Sequence, residues 1–503
     1  MSGRYNMEMF RKVLVANRGE IAVRVIRALR EMGIASVAVY SDVDRRALHV
    51  RRADEAIHIG PAASAESYLN VDRILDASRR TGAEAIHPGY GFLSENAGFA
   101  AACEAEGIAF IGPGADSIRA MGLKTEAQRV AQRAGTPTVP GSEKPLQNAA
   151  EAARFAAEVG YPVMLKAAAG GGGKGMRRIA SAEAMEAGFR DASSEAERAF
   201  GNSTVYLEKL IERARHIEIQ VLGDHFGNLI HLGERECSLQ RRHQKVVEES
   251  PSPFVATRPE LRQAMGKAAV AAARSAGYFN AGTVEFLVDQ AGRYYFLEMN
   301  TRLQVEHPVT ELVTGLDLVQ WQIRIAAGER LTLRQEDVSW RGWAMECRVC
   351  AEDPDRNFLP SPGRIERVAE PGGPGVRVDS GVYSGWTVPL EYDSLLAKLV
   401  AYGESRDHAV RRLLRAMDEY TVSGIKTNLS FLRELLLDKT FQRGELHTGF
   451  IEAFRRADRT PASAEIKMAA ALAAVAGKAA PSPQAVVNGG NSWLREGRER
   501  LLR

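Results

Sequence analysis

Three oxygen-bearing side chains lie at spacings that suit a metal site. Glu285 and Glu298 each stand inside a run of apolar residues, where an ionised carboxylate is costly unless a cation meets it. Asn300 follows Glu298 by two residues, so both side chains point to the same face of an extended chain. Two carboxylates and an amide oxygen suit magnesium, which completes its coordination shell with water and nucleotide phosphates. The spacing therefore predicts a magnesium site.

Three more polar residues follow at the same two-residue spacing. Arg302, Gln304 and Glu306 share the face of Asn300 as far as the chain stays extended. A cation, an amide and a carboxylate beside a metal could hold a small anion and move its proton. A solvated hairpin edge with scattered charges is the alternative that the spacing leaves open.

A glycine run could close over phosphates. Residues 170–175 read GGGGKG between two predicted strands, and no Lys-Ser/Thr pair follows, so neither a dinucleotide-binding turn nor a P-loop is indicated. A glycine loop that joins two strands can fold its backbone N–H groups over phosphates as a mobile lid. Lys166, on the strand before the loop, is placed to contact those phosphates, and Lys124 is a second candidate. A flexible surface hairpin is the alternative.

Two other stretches could complete a nucleotide pocket. Glu208 ends a predicted strand and precedes Lys209 and Leu210, which fits an adenine and ribose pocket but equally fits a plain strand end. Residues 237–249 (CSLQRRHQKVVEE) concentrate basic groups. Such a run usually marks a solvated face, but beside a metal and phosphates its donors would bind anions. The basic residues are Arg241, Arg242, His243 and Lys245.

The period of the apolar positions predicts the elements that carry these residues. Residues 283–297 predict a β-hairpin that turns at 289–292. Near the N-terminus, an apolar run, a helical pattern and a second strand (residues 13–40) form a βαβ unit, which predicts a parallel sheet. Its first turn has one glycine, which argues against a nicotinamide-dependent oxidoreductase. The turn at 87–92 (HPGYGF) follows another strand, where open α/β sheets bind ligands, although a structural turn fits equally well.

The rest of the chain divides at Pro/Gly-rich connections. Helical sequence at 124–134 leads to such a connection at 136–141, which predicts a domain boundary. Short strands and helices follow, among them strands at 215–222 and 229–232. From residue 342 a β-rich stretch and a helix at 407–420 predict an α+β domain. After residue 456 come an alanine-rich helix (464–480), a Pro/Gly/Asn linker and a short basic end.

Composition excludes several classes of protein. A length of 503 residues allows about two to four domains. A net charge of +3, with no long basic run interleaved with aromatic residues, argues against nucleic-acid binding. We expect no membrane span, no signal peptide and, with four cysteines, no disulfide framework, which together predict a cytoplasmic protein. The Cys347–Cys350 pair has no partner pair at zinc-site spacing.

Between about Lys12 and Thr448 the chain resembles biotin carboxylase, the ATP-grasp component of biotin-dependent carboxylases. The resemblance rests on long motifs in the family's order: ANRGEIA (16–22), HPGYGFLSEN (87–96), KAAAGGGGKGM (166–176), RHIEIQ (215–220), QRRHQKVVEE (240–249), EMNTRLQVEHPVTE (298–311), ECRVCAEDP (346–354) and FLPSPGRI (358–365). It implies a multidomain α/β and α+β protein. The implied parts are a Rossmann-like pre-ATP-grasp domain (1–123), an ATP-grasp domain (124–335) with a glycine-rich lid (138–210), a C-terminal α+β domain (336–456) and a tail (457–503).

The resemblance also implies a role for each matching residue. Magnesium or manganese would be bound by Glu285, Glu298 and Asn300. ATP would be bound by Lys124, Lys166, Gly171, Gly172, Gly173, Glu208, Leu210, His216, Gln240 and His243. Bicarbonate and biotin would contact Lys245, Arg302, Gln304, the Val305 backbone, Arg348 and Tyr90. Glu306 would take the bicarbonate proton, and Arg348 would stabilise the biotin enolate, with Lys245 and Arg302 as further catalytic groups.

Some residues depart from the family pattern. Leu123, Trp343 and Cys350 replace an acid, a histidine and an asparagine that are common in the family, which bears on subfamily rather than on activity. The biotin-accepting Met-Lys-Met motif is absent, so we expect biotin on a separate carrier protein, with carboxyltransferase subunits as partners in a homodimer or a larger hetero-oligomer. Two alternatives remain: another ATP-grasp carboxylating ligase, and an inactive nucleotide-binding assembly subunit.

Overall fold

A computed structural model describes residues 9–142, 144–167, 176–200 and 203–454. All of them belong to one unit of the chain. Gly171, Gly172 and Gly173 of the predicted lid lie outside the described residues, as do the predicted helix, linker and basic end after residue 456. Within the described ranges, no helix combines the length and the apolar character that crossing a bilayer requires.

The N-terminal part is an open parallel sheet with helices on both faces. Its five strands are ordered β3-β2-β1-β4-β5, and every pair is parallel. Val13 and Val15 point into one apolar core, whereas Leu14 points into a second core on the opposite face. The predicted Rossmann-like domain is confirmed. Its elements are β1 (Lys12–Val15), α1 (Gly19–Glu31), β2 (Ala35–Ser41), α2 (Leu48–Arg52), β3 (Glu55–Gly60), α3 (Val71–Thr81), β4 (Ala85–His87), α4 (Ala97–Ala105), β5 (Ala109–Phe110) and α5 (Ala115–Gly122).

The turns after β1 and β4 meet where the strand order reverses. The amide of Asn17 donates to the carbonyls of Pro88 (2.6 Å) and Tyr90 (2.8 Å). Gly89 has a φ of +63°, and a Cβ there would lie 2.9 Å from the Asn17 amide nitrogen, so this turn requires glycine. The turn at 87–92 therefore lies at the carboxyl end of the strands, where open α/β sheets bind ligands; whether it binds one or is a structural turn stays a prediction.

A small unit with its own sheet follows. Its three antiparallel strands are ordered β7-β6-β8, and Val163, Leu165 and Leu207 pack with the flanking helices in a separate apolar core. The N–H of Phe296 donates to the carbonyl of Pro137 (2.6 Å), which ties the entry segment to the main body of the chain. The elements here are α6 (Lys124–Arg133), α7 (Ala149–Val159), β6 (Val163–Ala167), β7 (Met176–Ile179), α8 (Met185–Phe200) and β8 (Val205–Lys209).

The remaining elements comprise a large antiparallel sheet of eight strands, three two-stranded sheets (β15-β16, β17-β20 and β18-β22) and the helices around them. They are β9 (Arg215–Gly223), β10 (Leu229–Arg241), β11 (Gln244–Ser250), α9 (Pro259–Ser275), β12 (Asn280–Val288), β13 (Tyr294–Asn300), α10 (His307–Thr314), α11 (Leu318–Ala326), β14 (Trp343–Cys350), β15 (Glu352–Asp353), β16 (Leu359–Pro360), β17 (Gly363–Arg364), β18 (Arg367–Ala369), β19 (Val376–Ser380), β20 (Thr387–Val388), β21 (Leu395–Gly403), α12 (Arg406–Glu419), β22 (Thr421–Ser423), α13 (Leu429–Leu437), α14 (Lys439–Gln442) and α15 (Phe450–Ala453). Single turns of 3₁₀ helix lie at Asp42–Asp44, Ser64–Glu66, Ala182–Ala184, Gln335–Asp337 and Pro354–Arg356.

This sheet crosses the boundary predicted at residue 335. Its order is β13-β12-β9-β10-β11-β14-β21-β19, and β11 pairs with β14 so that Glu248 lies opposite Glu346. The strands on either side of residue 335 therefore share one hydrogen-bonded ladder. The ATP-grasp and C-terminal parts are joined by backbone pairing as well as by side-chain packing.

Two sequence expectations need correction. A strand was expected only over 229–232, but β10 continues to Arg241 and pairs with β11 as a hairpin. Arg242 and His243 form its tip, both with positive φ, as a two-residue hairpin turn requires. The alternation expected beyond Asn300 also fails, because β13 ends there and Glu306 becomes the N-cap of α10.

Candidate active site

One face of the large sheet is polar where β12, β9 and β10 run side by side. Alternation along β9 sends Ile217 and Ile219 into an apolar core and leaves Glu218 on the opposite face. Glu218 lies opposite Glu285 on β12 and opposite Arg235 on β10. The polar face therefore begins with two buried carboxylates beside a buried guanidinium.

Lys245 connects three of the carboxylates on this face. Its Nζ lies 2.5 Å from Glu218, 2.9 Å from Glu285 and 2.6 Å from Glu306. Burial alone would lower the pKa of Lys245, but the three negative charges raise it well above its ordinary value. The side chain is therefore an ammonium ion held at the centre of an acidic cluster.

Glu306 is fully buried between two cations. Its Oε1 accepts from Lys245, and its Oε2 lies 2.9 Å from a guanidinium nitrogen of Arg348. Burial favours the protonated acid, but Lys245, Arg348 and Arg235 hold the pKa of Glu306 well below its ordinary value. Arg348 also donates to Glu248 (2.6 Å). Glu306 is thus an ionised carboxylate, as a proton acceptor must be.

Arg302 and Gln304 reach the same place from the loop after β13. Arg302 donates to Asn300 (3.0 Å) and to Gln304 (2.8 Å), and Gln304 donates to Glu285 (3.0 Å). The predicted convergence of these side chains therefore occurs, although the loop produces it and strand alternation does not. A cation and an amide donor lie beside the Lys245 cluster.

The proposed metal ligands lie together at the edge of the sheet. Glu285 and Glu298 face each other across β12 and β13, and the Asn300 amide donates to Glu285 (2.8 Å). Desolvation and the charge of Glu285 raise the pKa of Glu298, although Lys124 opposes the change. Two carboxylates that repel each other, together with an amide oxygen, are a hard-oxygen donor set, so these residues fit a magnesium ion.

Two other groups of possible ligands surround Lys245. His216, Glu218 and Glu285 lie close together, as do Glu218, Cys237 and Glu306. In both groups the carboxylates already contact the ammonium of Lys245. Lys245 therefore supplies positive charge to both groups, and it also contacts Glu285, which is one of the proposed magnesium ligands.

The predicted nucleotide-binding residues that the structure describes occupy four places. His216 and Gln240 lie beside the acidic cluster, with His216 Nε2 3.0 Å from Glu285 and Gln240 Nε2 2.8 Å from His216 Nδ1. Lys166 forms an ion pair with Glu208 in the small sheet, and the N–H of Leu210 donates to the Pro162 carbonyl. The structure places Lys124 as the first residue of α6 and His243 at the exposed tip of the β10–β11 hairpin.

Tyr90 and Val305 lie on either side of Lys398. The Nζ of Lys398 lies 5.9 Å from the centre of the Tyr90 ring and donates to the carbonyl of Val305 (2.9 Å). The hydroxyl of Tyr90 is buried and unpaired within the described part of the chain. The structure thus brings the turn after β4 next to the loop that carries Arg302 and Glu306.

Four buried charged residues of the candidate site are not among those selected from the sequence. Lys398 stands among the apolar residues of β21, which is the same signal that drew attention to Glu285, whereas the strands of the other three carry several polar residues. Their partners could not be read from spacing, because they lie on neighbouring strands that are distant in sequence. The residues are Glu218, Arg235, Glu248 and Lys398, and all four are fully buried.

The departures from the family pattern lie outside the acidic cluster. Leu123 is exposed just before α6. The indole N–H of Trp343 donates to Glu249 (2.6 Å), which Arg406 also contacts (2.8 Å). Cys350 is a free thiol that lines a cavity of about 30 Å³ with Arg348 and Asn428. Arg348 beside Cys350, and Lys124 directly after Leu123, link these departures to the candidate site.

The chain is similar in sequence to known proteins. Three family models match: the biotin carboxylase N-terminal domain over residues 9–118, the ATP-binding domain of the carbamoyl-phosphate synthase L chain over 124–334, and the biotin carboxylase C-terminal domain over 346–453. Biotin carboxylase 1 of Bacillus subtilis is 55% identical over 89% of this chain and 99% of its own length. One subunit of pyruvate carboxylase from Methanothermobacter thermautotrophicus is 53% identical over 89% of this chain and 91% of its own length.

A solved structure shares the fold. It is the biotin carboxylase domain dimer of 2-oxoglutarate carboxylase from Hydrogenobacter thermophilus, in complex with MgADP, ADP and bicarbonate. It superposes with a TM-score of 0.81 at 52% identity and covers 89% of this chain and 98% of its own. Relatives at 53–55% identity match this chain over nearly their whole length, and the chain has the fold of the biotin carboxylase domain just described. This chain therefore belongs to the biotin carboxylase family.

Proposed function

We propose that this chain uses ATP and bicarbonate to carboxylate biotin that is attached to a separate carrier protein. The observation that carries the proposal is the position of Lys245. Its ammonium contacts Glu306, the proposed base, and Glu285, a proposed metal ligand, at 2.6 and 2.9 Å. One cation therefore joins the place where a proton is removed to the place where nucleotide phosphates would be bound.

Bicarbonate activation is assigned to the loop after β13. Lys245, Arg302 and Gln304 would hold the anion, and Glu306 would accept its proton. Lys245 is one of the cations that keep Glu306 ionised, and it is also one of the groups that would bind the anion. When Lys245 shares its charge with bicarbonate, Glu306 becomes a stronger base, so substrate binding itself prepares the proton transfer.

The deprotonated oxygen then forms a bond to the γ-phosphorus of ATP as the bond to ADP breaks, which gives carboxyphosphate. Carboxyphosphate splits into carbon dioxide and phosphate, and the phosphate takes the proton of the biotin ureido nitrogen. That nitrogen attacks carbon dioxide. Arg348 lies beside Glu306 and would stabilise the negative charge that develops on the ureido oxygen.

The nucleotide is assigned to the residues of the polar face and of the small sheet. Glu285, Glu298 and Asn300 would hold magnesium, which when bound neutralises phosphate charge. The purine and phosphates are assigned to Lys124, Lys166, Gly171, Gly172, Gly173, Glu208, Leu210, His216, Gln240 and His243. The ion pair of Lys166 with Glu208 supports this assignment, because each partner can exchange the other for a phosphate or a ribose hydroxyl.

The final carboxyl acceptor is assigned to other subunits. The relatives include a component of pyruvate carboxylase and a domain of 2-oxoglutarate carboxylase, and their identities to this chain are 53% and 52%. Because the acceptors of those enzymes differ while this part is equally similar, we assign acceptor choice to a carboxyltransferase. A biotin carboxyl carrier protein is the second partner, in a homodimer or a larger hetero-oligomer.

The test uses the purified chain with free biotin. ATP turnover should require bicarbonate and rise when free biotin is added, and labelled bicarbonate should appear in carboxybiotin. Turnover that needs bicarbonate but ignores biotin would favour another ATP-grasp carboxylating ligase. Nucleotide binding without turnover under any of these conditions would favour a role in assembly alone.

A further inference from the structure

The loop that carries the proposed bicarbonate-binding residues is held from both ends. Glu95 accepts from the N–H of Thr301 (3.0 Å) and from Arg302 (2.9 Å) at its start. At its end, the ammonium of Lys398 donates to the carbonyl of Val305 (2.9 Å). Because β13 stops at Asn300, these contacts replace strand pairing in fixing the loop.

Lys398 is an unusual residue for the interior of a sheet. It lies in the middle of β21 with no exposed surface, directly opposite Arg348 on β14 and Asp379 on β19. Its Nζ lies 3.2 Å from Glu20 at the start of α1 and 3.7 Å from Asp379. A fully buried lysine requires such partners, and here they come from helix α1 of the N-terminal part and from strand β19 of the C-terminal part of the chain.

The bond to Val305 constrains the residue that follows. The carbonyl of Val305 and the N–H of Glu306 belong to one planar peptide group, so a fixed carbonyl fixes the plane from which Glu306 continues. Glu306 is the N-cap of α10, with a φ of −80° and a ψ of 13°, and its side chain enters the Lys245 cluster. The direction of that side chain therefore depends on the Val305–Glu306 peptide.

We propose that Lys398 is a positioning residue for bicarbonate activation: by holding the Val305 carbonyl, it sets the direction in which Glu306 meets the anion. The inference rests on the proposed function. It differs from a purely structural ion pair, which would stabilise the packing of α1 against β21 without affecting the bicarbonate step. The two roles make different kinetic predictions.

The experiment measures KM for bicarbonate, kcat and nucleotide affinity in two variants. Lys398→Met combined with Glu20→Gln removes the buried cation together with one of its acids. Lys398→Arg keeps the charge, but its longer, forked head cannot occupy the same enclosed space without displacing the Val305 carbonyl. We expect the double variant to raise KM for bicarbonate about tenfold or more, or to lower kcat by a similar factor, because small displacements of reacting groups are costly.

The expected effect is confined to the bicarbonate step. Nucleotide affinity, measured by calorimetry, should change less than about twofold, and Lys398→Arg should fall between the double variant and the wild type. Lys12→Met is the matched control, because Lys12 also donates to a carbonyl (Thr81, 2.8 Å) and a carboxylate (Glu55, 2.7 Å). That control should keep wild-type kinetics.

Three outcomes would overturn the proposal. The first is that a folded Lys398 variant, whether the double variant or Lys398→Arg, keeps its bicarbonate kinetics within twofold of wild type. If the double variant does not fold, Lys398→Arg alone decides. Another is a parallel loss of nucleotide affinity and turnover, which indicates a general structural role. The third is an equal effect in Lys12→Met. Wild-type turnover that ignores bicarbonate would instead contradict the proposed function, so the two failures are distinguishable.

Discussion

The Nζ of Lys245 lies 2.6 Å from Oε1 of Glu306, so the proposed base already contacts a cation proposed to bind its substrate. An entering anion must share Lys245 with Glu306 rather than meet a vacant charge. Binding of the anion should therefore raise the basicity of Glu306, because a Lys245 ammonium that contacts the anion stabilises the Glu306 carboxylate less.

Replacement of the proposed base tests this arrangement. We expect Glu306→Gln to lower bicarbonate-dependent ATP turnover by about 100-fold or more, since general base catalysis contributes factors of that size. ATP binding should persist, because the described contacts of Glu306 are with Lys245, Arg348 and Cys237, and none of these is a proposed nucleotide-binding residue. Steady-state kinetics and calorimetry measure the two effects. Glu106→Gln, which alters a surface ion pair with Arg79, is the control, and unchanged turnover in Glu306→Gln would refute the assignment.

The metal assignment predicts a changed magnesium requirement. Glu298→Gln removes one of two facing carboxylates, so we expect half-maximal turnover to need about tenfold more magnesium, with recovery at saturating metal. A magnesium titration of ATP turnover gives the result. Glu260→Gln, at an exposed position of α9, should match the wild type. Identical titration curves for Glu298→Gln and wild type would remove Glu298 from the metal site.

The buried Arg235 predicts a large effect on stability. Its guanidinium is fully buried, lies 2.5 Å from Glu218 and also donates to Gln220, Thr283 and Thr310. Arg235→Met should lower the free energy of unfolding by about 3–5 kcal/mol, because it leaves a buried carboxylate poorly compensated. Adding Glu218→Gln should recover part of that loss. Denaturant unfolding measures both, and equal stability of the single and double variants would contradict this account.

A buried histidine predicts a pH dependence of stability. Burial and the nearby charge of Arg18 lower the pKa of His49 to about 4, from 6.5, against the opposing charge of Asp44. Below pH 6.5 the unfolded chain binds a proton that folded His49 does not bind until about pH 4, so stability falls as the pH falls through this window. At pH 5 the loss from this residue is about 2 kcal/mol.

Comparison of two variants isolates that contribution. We expect His49→Gln to lose about 2 kcal/mol less than the wild type between pH 7.5 and pH 5, as measured by denaturant unfolding. His58→Gln, which removes an exposed histidine, is the control. An equal pH dependence in wild type and His49→Gln would show that His49 does not titrate differently in the folded protein.

Local patterns were sufficient for the elements and for several site residues. The hairpin at Glu285 and Glu298 is confirmed, with β12 and β13 extending it by a few residues at each outer end. Charged residues inside apolar strands have few physical explanations, so Glu285 could be selected without a structure. Whether the named residues act as assigned stays a prediction that the variants above address.

The amino-acid sequence by itself determined the parallel N-terminal sheet, the hairpin that carries the proposed metal ligands and the family motifs, because apolar period and turn residues act over short stretches of chain. Only the tertiary structure decided the partners of the buried charges. Lys245 meets Glu218, Glu285 and Glu306, and Lys398 meets Val305 and Glu20, across separations of 27 to 378 residues. These contacts depend on which strands become neighbours in the eight-stranded sheet, and that order results from the packing of the whole chain.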